Sequence, residues 1–213
     1  MSLLEKLTGF QLLEEVQSPY SGRIVVSRRF GAVRLEVGGL LQSGSVVFQI
    51  WKKALAKAKK LQPHPQTLLV LGLGGGNCAQ IASQLWPGLK ITGVELDPVV
   101  IRLAKKYFDL TQIPFLKVVN ADAFDFVHKD RHRYDLIVVD LYLGDQLPDR
   151  ATYPSFFRQL RRRLKPQGLL VFNHLFYGSK VPQARRLVAH LDPFFSHISL
   201  KRVLSNLIIY AQP

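Results

Sequence analysis

Apolar positions follow two different periods along this chain. From Thr67 onward, short apolar runs rich in β-branched residues alternate with segments whose apolar residues recur every three to four positions. This alternation predicts a parallel sheet with crossover helices. The predicted strands span residues 67–72, 89–95, 114–121, 134–141 and 167–175, and the predicted helices span 77–86, 98–107, 123–128 and 153–164.

The end of the chain breaks this alternation. A helix is predicted near 182–191, and the runs HISLKRVL and NLIIYAQP follow so closely that we expect them to pair antiparallel. A dinucleotide-binding domain normally continues with parallel units, whereas this ending resembles the class I methyltransferase arrangement. The expected fold class is α/β, a Rossmann-like doubly wound and mostly parallel sheet with an antiparallel C-terminal hairpin.

The region before Thr67 has a different pattern. GRIVVSRRFGAVRLEVGG alternates apolar and polar residues on both sides of a tight turn at 29–31, which predicts a β-hairpin. A helix is predicted over 45–61, and the prolines of PHP at 63–65 end it. We therefore expect an N-terminal unit, residues 1–64, and a Rossmann-like domain, residues 65–213. Short edge strands pair readily between subunits, so the hairpin is also a candidate homodimer surface.

Composition narrows the class of protein. The 213 residues are 47% hydrophobic, enough for a sizeable core. No window is apolar enough for a membrane span, and the first residues carry acids where a signal peptide is basic, so a cytoplasmic protein is expected. The single cysteine, Cys78, excludes an internal disulfide and a thiolate cluster. The histidines form no i, i+4 pair with a carboxylate, so no metal is expected.

The formal net charge is +14. A field of this size attracts polyanions, but the basic residues are scattered over several predicted helices and one loop. Solvated helix faces explain them, and contact with nucleic acid remains an alternative. Because no base-stacking aromatic residues interleave with the basic runs, nucleic acid is the second choice.

The sequence VLGLGGGN places glycines 72, 74, 75 and 76 directly after the first predicted strand. Glycines at this position let the backbone turn and approach a ligand closely. About twenty residues later Glu95 ends the second strand, where a carboxylate accepts hydrogen bonds from ribose hydroxyls. It would repel a 2′-phosphate, so NAD and an adenosyl thioether both remain, beside the alternative of an ordinary strand-to-helix turn.

Acidic residues also follow the third and fourth predicted strands. Asp122 and the adjacent Ala123 stand where an adenine amine would bind, although Asp122 alternatively caps the next helix. Asp140 and Asp145 stand where a transferred group would lie, as a general base or as an anchor for an amine. The alternatives are a structural role for Asp140 and a turn role for Asp145. Since parallel strands end at one sheet edge, we expect these groups to form one site.

Five segments of the sequence resemble a known family. VLGLGGGN, GVELDPVVIRLAKKYF, NADAFDFV, YDLIVVDLYLGDQLP and FFRQLRRRLKPQGLLVFN look like the spermidine synthase family, and especially its divergent spermidine-synthase-like branch. The resemblance implies transfer of an aminopropyl group from decarboxylated S-adenosylmethionine to an amine. It also implies that Gln42 and the 72–76 loop hold this cosubstrate, that Glu95 binds its ribose and Asp122 its adenine, and that Asp140 is the catalytic carboxylate.

The resemblance covers residues 23–173 and includes three departures. Asn77 stands where the family has an aspartate that meets the cationic end of the cosubstrate. Gln42 is followed by SGSVVFQIWKK instead of an acidic segment containing Tyr-His-Glu that helps bind the polyamine. The loop at 140–145 keeps two acids at a different spacing.

Three functions are therefore compatible with the sequence. The first is a spermidine-synthase-like transferase that uses S-adenosylmethionine or its decarboxylated form and a small-molecule amine acceptor. The second is an S-adenosylmethionine-dependent methyltransferase acting on RNA or a small molecule. The third is a non-catalytic nucleoside-binding scaffold, which the altered polyamine segment favours and the joint presence of Glu95, Asp122 and Asp140 disfavours.

Overall fold

The computed structural model describes residues 9–213, which form two sheets. The first is a four-stranded antiparallel sheet in the order β1-β2-β3-β4. Its strands are β1 (Phe10–Ser18), β2 (Gly22–Arg29), β3 (Ala32–Val37) and β4 (Leu40–Ser43). The predicted hairpin is the β2–β3 pair, and two strands that were not predicted, β1 and β4, flank it.

The second sheet has seven strands in the order β10-β11-β9-β8-β5-β6-β7. Its strands are β5 (Thr67–Leu71), β6 (Lys90–Glu95), β7 (Leu116–Asn120), β8 (Tyr134–Val139), β9 (Leu164–Leu175), β10 (His197–Val203) and β11 (Asn206–Gln212). Strands β5 to β9 pair in parallel, while β11 pairs antiparallel with both β9 and β10. The expected fold class is confirmed, including the antiparallel hairpin at the end.

Six helices cover the large sheet and connect its strands within the described residues. They are α1 (Ser45–Leu61), α2 (Asn77–Leu85), α3 (Pro98–Tyr107), α4 (Ala123–Lys129), α5 (Pro154–Arg163) and α6 (Lys180–Leu191). Helix α5 passes directly into β9, so the pair Lys165 and Pro166 lies inside a strand and not in a loop. Between residues 9 and 213, no helix has the length and apolarity that crossing a membrane requires.

Both faces of the large sheet are buried. One face packs against α1 and α2, and the other packs against α4, α5 and α6. Strands β5 and β8 are therefore buried on both sides, which is why their sequences read as nearly continuous apolar runs. The expected boundary near residue 64 falls after α1, yet the buried face of α1 belongs to the core of the large sheet.

The small sheet packs its inner face against α3. Apolar side chains of β2 and β3 form a cluster with Val100 and Leu103 of that helix. Glu14 on β1 adds two ion pairs with α3, at 2.7 Å to Arg102 and 2.8 Å to Lys106. These contacts hold the N-terminal unit over the carboxyl edge of the parallel strands.

Candidate active site

A cavity of about 250 Å³ lies where the carboxyl ends of β5, β6, β7 and β8 face the small sheet and α1. Open parallel sheets bind ligands at this edge. The predicted site residues that line the cavity are Gln42, Gly72, Gly74, Asn77, Glu95, Asp122, Ala123 and Asp140. The structure therefore brings together residues that lie up to 98 positions apart in sequence, as 140 minus 42 gives.

The glycines of the 72–76 loop have two different roles: some allow close packing, and one allows a ligand to approach the backbone. A side chain at Gly72 would collide with the carbonyl oxygen of Asp140, and one at Gly75 would collide with the hydroxyl of Ser43. Gly74 differs, because it has a φ of +53° and its missing side chain would meet no atom closer than 3.8 Å. Gly74 is thus the position of the loop where a ligand can approach the backbone. Gly75 and Gly76 do not line the cavity.

Glu95 lies at the end of β6 and is fixed by the backbone around it. Its Oε2 accepts a hydrogen bond from the Gly74 N–H at 2.9 Å, and its Oε1 accepts one from the Asp97 N–H at 3.1 Å. Withdrawal from solvent raises the pKa of the Glu95 carboxyl, and these backbone donors oppose the rise. Each oxygen retains a second lone pair, so the carboxylate has capacity for the two hydroxyls of a ribose.

Asp122 caps α4, which was the alternative role predicted for it from the sequence. Its Oδ1 accepts hydrogen bonds from the backbone N–H groups of Phe124 at 2.8 Å and Asp125 at 3.0 Å. Its Oδ2 faces the guanidinium of Arg150 at 3.4 Å, and that guanidinium also stacks 4.4 Å from the centre of the Phe124 ring. The cap leaves Oδ2 at the cavity edge, with Arg150 and Phe124 as its neighbours.

Asp140 lies at the tip of β8 and receives a donor on each oxygen. Trp51 of α1 donates its indole N–H to Oδ2 at 3.2 Å, and Asn173 of β9 donates its side-chain amide to Oδ1 at 2.8 Å. Asn173 in turn accepts from the amide of Asn206 at 2.8 Å. Burial raises the pKa of Asp140, while the two donors act to lower it. The carboxyl is thus held in one orientation within a partly apolar wall.

Sequence reasoning missed the partners of Asp140. Trp51 lies among apolar helix positions and is almost fully buried, yet its indole N–H reaches the Asp140 carboxyl at the cavity. The available signal was the need of a buried indole N–H for an acceptor. Asn173 carried a second signal, because it is a polar residue inside the buried strand β9.

Asp145 lies outside the cavity lining. Its carboxylate forms an ion pair with Lys180 at 3.0 Å, and the Lys180 side chain is only 7% exposed. Gln42 donates its side-chain amide to the carbonyl of the neighbouring Gly144 at 3.0 Å. These two contacts anchor the loop that follows Asp140, so the structure gives Asp145 a place in loop anchoring and not beside Asp140.

Asn77 begins α2 at the cavity wall. Its Oδ1 accepts a hydrogen bond from the Gly44 N–H at 3.2 Å, which joins the glycine loop to the start of α1. The next residue, Cys78, is buried, and burial raises the pKa of its thiol. Cys78 is therefore a packed side chain. Among residues 9–213, no group of three or more His, Cys, Asp or Glu side chains is arranged to hold a metal ion.

Comparison with known proteins gives the family. The spermine/spermidine synthase domain matches residues 50–204. The chain belongs to the spermine/spermidine synthase family. The matched segment contains the glycine loop, Glu95, Asp122 and Asp140.

Among curated relatives of this spermine/spermidine synthase family member, the polyamine aminopropyltransferase of Chromobacterium violaceum is 36% identical over 110 residues. That match covers 51% of this chain and 42% of the relative, and the match to the Vibrio vulnificus aminopropyltransferase covers 46% of the relative. The matches thus span less than half the length of these relatives. A spermidine synthase structure in complex with the transition state analogue AdoDATO superimposes with a TM-score of 0.82 at 17% identity, covering 95% of this chain and 73% of that one.

A methyltransferase also shares the fold of this family member. Human methyltransferase-like protein 13, solved in complex with SAH, has a TM-score of 0.65 at 26% identity and covers 79% of this chain and 82% of that one.

Proposed function

We propose that the chain transfers an aminopropyl group from decarboxylated S-adenosylmethionine to an amine. The observation that carries the proposal is the convergence of Gly74, Glu95, Asp122 and Asp140 on one cavity in a member of the spermine/spermidine synthase family. Each of these residues follows a different parallel strand. Such a set is more specific than a glycine loop alone.

The nucleoside half of the cosubstrate fits the residues present. The Glu95 carboxylate is already oriented by two backbone N–H groups and keeps lone pairs for the ribose hydroxyls. Asp122 keeps Oδ2 at the cavity edge for the adenine amine, beside the ring of Phe124. In this proposal Gly74 lets the backbone approach the sulfur-bearing chain without a steric conflict.

The positive sulfur of the cosubstrate makes the attached carbon electrophilic. The work left to the protein is to align an amine nitrogen behind that carbon and to accept a proton from it. Asp140 is the residue we assign to this work, because its carboxyl lines the cavity and is held by Trp51 and Asn173. A carboxylate withdrawn from water is a stronger base than an exposed one, which suits proton acceptance from an amine.

Calorimetric titration tests the proposal. The purified protein is titrated with decarboxylated S-adenosylmethionine, S-adenosylmethionine, methylthioadenosine and NAD. We expect decarboxylated S-adenosylmethionine and methylthioadenosine to bind more tightly than S-adenosylmethionine, and NAD to bind least. Binding of none of the adenosyl ligands would remove the proposal and favour a scaffold.

Methyl transfer is the second candidate, and one contact favours it. The neutral Asn77 lines the cavity at the start of α2, and its Oδ1 is used by Gly44, so its amide N–H groups remain as donors. A donor at a helix N-terminus suits a carboxylate, which S-adenosylmethionine carries and its decarboxylated form lacks. Tighter binding of S-adenosylmethionine in the same titration would select this candidate.

A further inference from the structure

The cavity has two chemically different ends. Glu95, Asp122 and Arg150 line the end that the proposed function gives to the nucleoside. The end around Asp140 is formed by α1 and by the loop after β8, and its other side chains are neutral and mostly apolar. They are Gln42, Val47, Trp51, Leu141, Tyr142 and Leu143.

Val47 and Trp51 present one continuous surface to Asp140. They are four residues apart on α1, so they lie on the same face of the helix, one turn from each other. Both line the cavity, and the Trp51 indole contacts the Asp140 carboxyl directly. Leu141, which follows Asp140 in the chain, also lines the cavity, and Leu143 lines it with a side chain that is 45% exposed. A molecule that places an amine at Asp140 therefore places the rest of its body against apolar side chains.

The other carboxylates of the lining are already engaged. Within residues 9–213, the acids that line the cavity are Glu95, Asp97, Asp122 and Asp140. Asp97 is 1% exposed and accepts hydrogen bonds from the Ser18 hydroxyl and from the Val99 N–H at 2.8 Å. Glu95 is held by backbone donors and Asp122 caps α4 beside Arg150. Asp140 also has a donor on each oxygen, but of these four it is the carboxylate at the α1 end of the cavity, and each of its oxygens keeps a lone pair for an acceptor amine.

A second ammonium group would find no counter-charge at this end. Burial of an unpaired charge is strongly unfavourable, whereas burial of a methyl group in the same place is favourable. The geometry points to an acceptor that carries a single amine on an apolar body, and not to a polyamine. This inference rests on the proposed function, because it assigns the substrate class of the same cavity.

The step with such an acceptor balances without a further reagent. The lone pair of the amine nitrogen forms the new N–C bond, and the C–S bond breaks with its electron pair moving to sulfur, which becomes a neutral thioether. The amine proton passes to the Asp140 carboxylate. One carboxylate is sufficient, since one nitrogen reacts and one proton leaves.

A matched pair of amines tests the inference. Putrescine and n-pentylamine have the same length, and they differ in that one terminal ammonium is replaced by a methyl group. Each is titrated by calorimetry into protein saturated with methylthioadenosine. We expect n-pentylamine to bind at least about tenfold more tightly, which is about 1.4 kcal/mol. Equal or tighter binding of putrescine overturns the inference, and so does failure of both amines to bind.

The first titration, with methylthioadenosine alone, separates the two proposals. If methylthioadenosine binds and the amine preference fails, the substrate class is wrong while the nucleoside site stands. If methylthioadenosine does not bind, the proposed function falls and the inference falls with it.

A substitution pair locates the effect. Val47→Glu adds a carboxylate to the apolar wall and is expected to shift the affinity ratio at least about tenfold toward putrescine. Val46→Glu adds the same charge next to it, on a side chain that is 46% exposed, and is expected to leave the ratio unchanged. Retained methylthioadenosine binding shows that each variant is folded. An equal ratio in both variants would overturn the assignment of this wall, and the comparison of the two amines on the unmodified protein holds independently of either variant.

Discussion

The indole N–H of Trp51 lies 3.2 Å from Oδ2 of Asp140, a contact between residues 89 positions apart in sequence. It joins α1, which follows the small sheet, to the tip of β8 in the large one. The contact orients the carboxyl that we assign to proton acceptance. It also means that α1 contributes directly to the electrostatics of the cavity.

Trp51→Phe is expected to move the pH dependence of turnover. The Trp51 donor lowers the pKa of Asp140 against the effect of burial, so its removal raises that pKa further. Since Asp140 accepts a proton only when ionised, the acidic limb of the kcat/KM profile should shift to higher pH. On that limb kcat/KM should fall about tenfold for each unit by which the pKa of Asp140 rises.

Trp86→Phe is the matched control for this experiment. Trp86 is also buried, and its indole N–H donates to the carbonyl of Pro63 at 3.1 Å, outside the cavity lining. This variant should lose stability and keep the pH profile. An identical shift in both variants would show that the effect comes from packing and not from Asp140.

Asp140→Asn is expected to abolish most turnover while cosubstrate affinity remains. A general base typically contributes about 10²–10⁴-fold, and an amide cannot accept the proton. The variant should also lose about 1–3 kcal/mol of unfolding free energy, because the new amide N–H₂ faces the donors of Trp51 or Asn173. Calorimetry, turnover and thermal unfolding measure the three effects.

Asp145→Asn makes the same chemical change in the same loop and serves as its comparison. Asp145 pairs with Lys180 outside the cavity lining, so its replacement should loosen the loop and reduce turnover far less. If the two variants lost turnover equally, the role assigned to Asp140 would not stand.

Asn77→Asp is expected to change the choice of cosubstrate. A carboxylate can still accept the hydrogen bond from the Gly44 N–H, so the local structure should persist. Its charge attracts the ammonium of decarboxylated S-adenosylmethionine and repels the carboxylate of the full form. The affinity ratio of decarboxylated to full form should therefore rise about tenfold, or about 1.4 kcal/mol. Asn77→Ala removes the side-chain amide without adding charge and should raise the ratio much less than Asn77→Asp does.

Glu14→Gln is expected to lower the free energy of unfolding at neutral pH more than at acidic pH. Arg102 and Lys106 lower the pKa of Glu14 from 4.5 to about 2. Because the folded-state pKa is lowered, the stabilisation is complete above the ordinary pKa and is lost as the pH falls from about 4.5 toward about 2. The variant should lose about 1 kcal/mol at pH 7, less at high salt, and much less at pH 2, where about half of the Glu14 carboxyl is already protonated in the folded state. An equal loss at both pH values would mean that the ion pairs are not its cause.

The large sheet could be predicted from the sequence because its pattern is local. Strands β5 and β8 are buried on both faces and read as apolar runs. Strand β1 was not predicted, because FQLLEEVQS places Glu14 and Glu15 side by side and a β-bulge shifts its register between Leu12 and Glu14. The irregular strand loses the alternation that identifies a half-buried strand.

For the site, the positions of the acidic residues could be predicted, and their hydrogen-bond and ion-pair partners could not. Glu95, Asp122 and Asp140 could be predicted because parallel strands end at one edge, so position along the chain implies position in space. The partners of these residues depend on tertiary packing. No local pattern indicates that Trp51 contacts Asp140 or that Arg150 contacts Asp122. Nor does one indicate that Asp145 pairs with Lys180 outside the cavity lining.

The two sheets share the walls of one cavity, since Leu35 and Val37 of the small sheet line it together with Glu95 of the large one. A ligand that fills it acts as a non-covalent crosslink between two folding units. By thermodynamic linkage, occupancy must then make separation of the small sheet from α3 less frequent. Amide hydrogen exchange in β2 and β3 would consequently slow on ligand binding, although neither strand carries a residue assigned to the chemistry.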